Sequence, residues 1–322
     1  MNRQIKVLLA SVTTSVVFGG MFLANKTGET VYNQPFAKSF AVIPDFPTAI
    51  TFAGEEVDLS HFDMRERYER ELTSFCYTHN LTLALIKRAN RYFPIIEPII
   101  KEEGLPEDFI YLMAIESSID PRIVSPAKAG GLWQMMPTTG KEYGLEVNGY
   151  VDERFHIKKS TRAAAKYLKK AYAKYGSWIS AASSYNAGQG RISRELEAQG
   201  ARSSLDLLLV DETSRYAFRM MALKAIMQMP KNYGFLLKGE QLFKPIRTKE
   251  VEVTTTISSL ATFAKEHGIT YKDLKLFNPW LRDRSLPNSS GRKYYISIPY
   301  IDDLKYNPDA PVEVYRKNWI VD

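Results

Sequence analysis

Apolar residues recur at three- and four-residue spacing between His61 and Glu103, and this spacing predicts helices. Pro94 and Pro98 are expected to divide the stretch, because proline removes a helical hydrogen bond and clashes with the preceding turn. Further helical patterns cover residues 161–175, 178–185, 191–198 and 213–229. This part of the chain is therefore predicted to be mainly α.

A buried helix is predicted for the segment GLPEDFIYLMAIESSIDP. Pro106 suits the first helical position, and the acidic side chains of Glu107 and Asp108 complement the helix dipole in the first turn. The helix is expected to end near Asp120. It is apolar almost all round, which is typical of a helix buried on every side. Glu116 lies close to its C-terminal end.

The pattern changes after Pro245. The run VEVTTT alternates as a strand does, two short helical patterns follow, and YYISIP predicts a closing strand. A small βααβ domain is therefore predicted for residues 249–300.

The N-terminus carries Arg3 and Lys6, followed by an uncharged, largely apolar run from Val7 to Ala24. Such a run is typical of a membrane-targeting segment, so the protein is predicted to be exported to the periplasm or cell envelope. A cleaved signal peptide is preferred, but the run is also long enough for a retained membrane anchor. No cysteine follows it, which argues against a lipoprotein.

The formal net charge of +7 favours an anionic partner: nucleic acid, a membrane surface or an acidic wall polymer. The export segment argues against nucleic acid. Cys76 is the single cysteine, which excludes an intrachain disulfide and a cysteine-rich metal site. The four histidines lack metal-ligand spacing. No metal and no cofactor is therefore expected.

Glu116 is an acidic residue in apolar surroundings. Desolvation disfavours a carboxylate, so the pKa of Glu116 is expected to be raised far enough for proton donation near neutral pH. Protonation of a glycosidic oxygen has this requirement. For a single glutamate, however, an ion pair or a capping role is the commoner meaning.

Four segments occur in order along the chain and together resemble the soluble lytic transglycosylase family: Glu116-Ser117, GLWQMMPTTG, SSYNAGQGR and ETSRY. The resemblance covers about residues 58–235. It implies a mainly α (α+β) chain with a lysozyme-like catalytic domain that cleaves the glycan strands of peptidoglycan. It also turns the expectation for Glu116 from a structural role to a catalytic one.

By this resemblance Glu116 is the single catalytic acid and base, and Trp133 and Met135 are apolar walls of the sugar groove. Gly130, Gly131 and Gly188 are expected where the backbone approaches a ligand or turns tightly. Trp178, outside the motifs, is predicted to be a core residue. The predicted substrate-binding residues are Ser117, Gln134, Met135, Tyr185, Asn186, Glu212 and Tyr216.

Two-carboxylate glycosidases need a second acid, yet no Asp or Glu occurs between Pro121 and Lys141. A distant acid that folds into the groove stays open. The family mechanism needs none, because the 6-hydroxyl of the muramic residue attacks and leaves a 1,6-anhydro end. Two alternatives remain: a non-catalytic peptidoglycan-binding scaffold and a hydrolytic enzyme like goose-type lysozyme.

The segment from Thr255 onward resembles a LysM peptidoglycan-binding module, with Thr255-Thr256 where Gly-Asp is usual. Glycan binding is preferred over a purely structural role, and Thr270 with Asp273 predicts a helix cap. The predicted organisation is a signal or anchor at 1–24, a linker at 25–58, a helical lead-in at 59–103, the catalytic domain at 104–240, the LysM-like module at 249–300 and a tail at 301–322.

Overall fold

The computed structural model describes residues 44–307 and 310–321. The predicted signal or anchor at 1–24, and most of the predicted linker, lie outside these residues. Within them, no helix combines the length and the apolar character needed to cross a membrane.

The first described elements form a hairpin of strands β1 (Ala49–Phe52) and β2 (Glu55–Asp58), paired antiparallel with Ala49 opposite Asp58. The prediction of a linker up to residue 58 is wrong for this part. Phe52 and Val57 are buried in the main core, so the hairpin is held by apolar burial that its short sequence pattern did not reveal.

Helices build the larger part of the described chain, as predicted, and their ends differ from the expected ones by about one turn at most in residues 157–228. They are α1 Phe62–Tyr77, α2 His79–Glu102, α3 Phe109–Ser117, α4 Pro137–Glu142, α5 Ile157–Tyr175, α6 Trp178–Ala187, α7 Gln189–Ala198 and α8 Asp211–Gln228.

Helix α2 runs without interruption through Pro94 and Pro98, so the predicted break at these prolines is wrong. The chain instead breaks at Thr78, between α1 and α2. An internal proline costs about 3 kcal/mol or more. The second half of α2 offsets this cost because Ile96 and Ile100 are fully buried.

Helix α3 is buried along most of its length, as its apolar sequence predicts. Its α-helical part begins at Phe109 rather than at Pro106, because the amides of residues 109–111 bond three residues back in a tighter turn. It ends where Ser118 and Ile119 adopt left-handed backbone angles, with φ of 50° and 57°. Glu116 therefore lies in the last turn.

Helix α8 is the central element of the main core. It packs against α1, α3 and α6, while α5 packs against α2 and α6. The predicted lead-in helices α1 and α2 contribute to this same core. This packing brings one end of α3 close to α6 and α8.

The C-terminal module has the predicted βααβ order: β3 Thr248–Val253, α9 Leu260–Glu266, α10 Tyr271–Phe277 and β4 Tyr294–Pro299. The two strands pair antiparallel. Thr270 and Asp273 form the predicted capping box at the start of α10. The mainly α fold with a small βααβ domain is thus confirmed.

The predicted tail returns to the main core. Trp319 is 1% exposed, stacks edge-on against Phe93 with ring centroids 5.8 Å apart, and donates its indole N–H to the carbonyl of Met227 at 2.6 Å. The backbone of Glu313 and Tyr315 bonds the buried side chain of Asn90. The tail therefore closes the core beside α2 and α8.

We expect Trp319→Ala to lower the free energy of unfolding by about 3–5 kcal/mol, because it empties a large core site and leaves the Met227 carbonyl without a donor. Urea unfolding measures the loss. The matched control is Tyr306→Ala, since Tyr306 is an aromatic residue of the same tail that is 84% exposed. Equal losses in both variants would contradict a core role for the tail.

Candidate active site

Glu116 lines a pocket of about 330 Å³ that lies where α3, α6 and α8 meet. Its lining is mostly polar and charged, unlike the apolar core around it. The residues that line it are Ile115, Glu116, Asn186, Asp211, Glu212, Arg215, Tyr216 and Arg219. Four of the predicted site residues, Glu116, Asn186, Glu212 and Tyr216, are therefore brought together.

The pKa of the Glu116 carboxyl is raised from 4.5 to about 7, chiefly because burial removes water from its charged form. The hydroxyl of Tyr216 donates to Oε1 at 2.5 Å and lowers the pKa, as does the charge of Arg219. Glu212 raises it further. Desolvation outweighs the two lowering effects, so the carboxyl can release and recover a proton near neutral pH.

Helix α8 supplies five of the eight residues that line the pocket. Glu212, Arg215, Tyr216 and Arg219 are spaced by three or four residues and so point the same way. The sequence interpretation missed the two arginines, although this spacing from Glu212 contained the signal. Arg215 pairs with Glu71 and with Asp211.

Helix α6 brings Asn186 to the pocket and Tyr185 behind it. The side-chain amide of Asn186 makes no hydrogen bond to another residue of the described chain, so it is available to a ligand in the pocket. The Tyr185 hydroxyl donates to the carbonyl of Trp133 at 2.6 Å, which ties α6 to the loop of residues 128–135, called here the active-site loop. Trp178, predicted to be a core residue, is half-buried: it packs against the main core and stacks on the exposed Tyr172.

The active-site loop turns tightly at its glycines. Gly131 has a φ of 76°, and a Cβ there would lie 2.0 Å from the carbonyl oxygen of Arg154. A Cβ at Gly130 would lie 2.7 Å from the ring of Phe155. The close approach predicted for both glycines is therefore to the protein's own chain.

Gln134 holds the loop together instead of lining the Glu116 pocket. Its backbone has a φ of 45°, and its side-chain amide donates to the carbonyls of Gly131 at 2.7 Å and Ile123 at 3.2 Å. The residue is half-buried.

Three residues predicted to face the groove are buried. The Ser117 hydroxyl donates to the Met113 carbonyl and accepts from the Ile119 amide, which completes the end of α3. Met135 is 3% exposed, and Trp133 is fully buried with its indole N–H bonded to Thr161. Each of these side chains fills the core or closes a helix end, and none of them lines the Glu116 pocket, so their contact with substrate stays a prediction.

Two stretches of the chain match known protein families. Residues 93–207 match the transglycosylase SLT domain, and residues 249–301 match the soluble lytic transglycosylase C-terminal LysM-like domain. The two matches follow one another along the chain in the predicted order. These matches agree with the prediction of a transglycosylase domain followed by a small LysM-like domain.

Among curated proteins, the chain is similar to membrane-bound lytic murein transglycosylase D of Escherichia coli, with 29% identity over 262 residues, in each of two strains. The matched part is 79% of this chain and 56% of the relative. The chain therefore spans just over half the length of these relatives. A solved structure of an inactive mutant of the lytic transglycosylase Slt from Pseudomonas aeruginosa matches 44% of this chain and 24% of that chain, with 21% identity and a TM-score of 0.35.

We expect Gly131→Ala to destabilise the protein by roughly 3 kcal/mol or more, because the methyl group collides with the Arg154 carbonyl at a left-handed backbone position. The control is Gly144→Ala. Gly144 also has a positive φ, of 87°, but nothing lies within 4 Å of a Cβ there, so a cost of about 1 kcal/mol is expected. Equal costs in urea unfolding would contradict the close approach.

Glu116→Gln should stabilise the protein increasingly as the pH rises. Below pH 4.5 the wild-type carboxyl is protonated in both the folded and the unfolded state; between 4.5 and about 7 the unfolded state alone loses the proton. The free energy of unfolding of the wild type therefore falls as the pH rises from 4.5 to about 7. The fall is about 1–3 kcal/mol after allowance for solvent in the open pocket. The neutral amide avoids this loss.

The measurement is the free energy of unfolding of both proteins between pH 4 and pH 8. Glu212→Gln is the matched control, since it removes an exposed carboxyl of the same pocket. A difference between Glu116→Gln and wild type that stays constant over this pH range would contradict the burial of a titrating carboxyl.

Proposed function

We propose that the protein is a peptidoglycan lytic transglycosylase that cleaves the β-1,4 bond between MurNAc and GlcNAc and leaves 1,6-anhydromuramic ends. The observation that carries this proposal is the Glu116 carboxyl, which has a pKa of about 7 and faces a polar pocket. The SLT domain and the lytic murein transglycosylases similar to the chain support the same reaction.

In the first step, the protonated Glu116 carboxyl donates its proton to the glycosidic oxygen. The bond from C1 of the muramic residue to that oxygen breaks, and its electron pair stays with the departing GlcNAc. The carbonyl oxygen of the muramic N-acetyl group bonds to C1 and so replaces the second carboxylate of other glycosidases. Asn186, whose amide is available in the pocket, is suited to bind this acetamido group.

In the second step, the Glu116 carboxylate accepts the proton of the 6-hydroxyl of the same sugar. The hydroxyl oxygen attacks C1 and displaces the acetamido oxygen, which closes the 1,6-anhydro ring and regenerates the neutral Glu116 carboxyl. No water is consumed. The hydroxyl of Tyr216, 2.5 Å from Oε1, stabilises the carboxylate between the two steps.

A specific observation favours one second candidate, a hydrolase. Glu212 lines the same pocket as Glu116, so a second acid does fold into the site from outside the acid-free stretch 121–141. An exposed carboxylate in that position has the chemistry to activate a water. The mass of the products separates the two reactions, because an anhydro end is one water lighter than a hydrolysed end.

The proposed partner is the glycan strand of peptidoglycan, which fits the net charge of +7 since the wall peptides carry carboxylates. The proposed location is the periplasm or cell envelope, with membrane attachment through residues 1–24 where that segment is retained. The membrane-bound relative supports an envelope location.

We expect wild-type protein to release muropeptides with anhydro ends from purified sacculi, and Glu116→Gln to reduce their release at least about a thousandfold, because the amide cannot donate or accept the proton. Mass spectrometry of the soluble products measures both. Binding of the variant to sacculi is the control for an intact groove.

Glu212→Gln distinguishes the candidates further. The transglycosylase reaction keeps anhydro products in this variant, whereas a hydrolase that uses Glu212 loses its hydrated products. Anhydro products from Glu116→Gln, or hydrated ends from the wild type, would overturn the proposal. A wild-type protein that binds sacculi and releases nothing would be the non-catalytic scaffold.

A further inference from the structure

Residues 150–155 of the SLT-like domain are shared with the LysM-like module. Val151 and Phe155 belong to the module's hydrophobic core. Val151 forms an antiparallel bridge with Leu281, and the Asp152 amide donates to the Trp280 carbonyl at 2.9 Å. Interfaces between domains are usually polar and allow motion. A shared core with backbone pairing instead fixes this module to the segment.

An ion-pair network strengthens the same contact. The Glu153 side chain is 1% exposed and pairs with Lys159 and with Arg292 of the module. Arg292 also lies 3.0 Å from the Glu146 carboxylate, to which the Tyr294 hydroxyl donates at 2.9 Å. A buried carboxylate that loses its cations is costly, so the network favours the docked module.

The shared segment also holds the active-site loop. The guanidinium of Arg154 is buried and pairs with Asp152 at 2.7 Å. Its remaining nitrogen donates to the carbonyls of Lys128 at 2.7 Å and Met135 at 2.9 Å, at the two ends of the loop. Gly131 packs against the Arg154 carbonyl. One side chain thus fixes the loop from both ends.

The active-site loop in turn is bonded to helix α6. The Trp133 carbonyl accepts the hydroxyl of Tyr185, which is next to Asn186 in α6. Asn186 lines the Glu116 pocket, so the loop is connected to this pocket through α6. Bonded and packed groups therefore connect the module to α6, the helix that carries Asn186 into the pocket.

We propose that the LysM-like module positions the active-site loop through residues 150–155, with Arg154 as the positioning residue. The module acts on the reaction as a brace, in addition to any affinity for glycan. The effect on turnover rests on the proposed transglycosylase activity, whereas the effect on the loop does not.

The experiment compares full-length variants by amide hydrogen exchange and by kcat and KM on glycan strands. Arg292→Gln removes module contacts of a side chain that is 44% exposed. Lys159 still pairs with the buried Glu153 in this variant, so we expect the fold to be kept. We expect exchange of the Gly130 and Gln134 amides to become about tenfold faster and kcat to fall about threefold to tenfold, with KM nearly unchanged. Arg292→Lys keeps the charge beside Glu146 and Glu153 but not both contacts, so it should restore part of both values.

The matched control is Lys293→Gln, the neighbouring cation, whose partner Glu252 lies within the module. Arg154→Lys tests the positioning residue itself, because lysine keeps the charge at Asp152 but has one nitrogen, which cannot pair with Asp152 and also reach the Lys128 and Met135 carbonyls as the guanidinium does. It should loosen the loop and lower kcat at least as much as Arg292→Gln.

Loop exchange and kcat in Arg292→Gln that match Lys293→Gln would overturn the proposal. Faster exchange across the whole protein would also overturn it, because that result indicates general destabilisation. A wild-type protein without glycan cleavage would overturn the proposed function alone, since loop exchange still reports whether the module braces the loop.

Discussion

The withdrawal of one carboxyl group from water is the constraint on which the site depends. Glu116 lies in the last turn of α3, a helix that is apolar on almost all sides. Such a helix is stable only inside the main core, so the carboxyl group is buried with it. The same burial that stabilises α3 raises the pKa of Glu116 to about 7. Fold stability and proton chemistry therefore have one cause.

The rest of the core keeps this carboxyl accessible and able to release and recover its proton. Helix α8 supplies the Tyr216 hydroxyl and the nearby charge of Arg219, which limit the rise in pKa that burial alone produces. Helix α6 adds Asn186, and through Tyr185 it connects the pocket to the active-site loop. Arg154 fixes that loop from outside the pocket, beside the C-terminal module.

Sequence reasoning was accurate where a pattern had one structural solution and failed where packing chose among several. The apolar run of α3 and the alternating strands of the βααβ module were predicted, since each has one way to bury its apolar face. Pro94 and Pro98 were misread because core packing outweighs the cost of an internal proline. Ser117 and Met135 lie in groove motifs, yet both complete the protein interior.

By itself the sequence determined the mainly α class, the βααβ module, the position of Glu116 at a buried helix end, and the motifs of the SLT domain. Only the tertiary structure decided that the α8 face with Glu212 and Arg219 meets Glu116 in one pocket, that the glycines pack against Arg154, and that residues 150–155 join the module to the loop. Helix type and burial follow from local periodicity. Electrostatic effects and close contacts connect residues that are far apart in the chain. The distances between such residues are set only by the packing of the core.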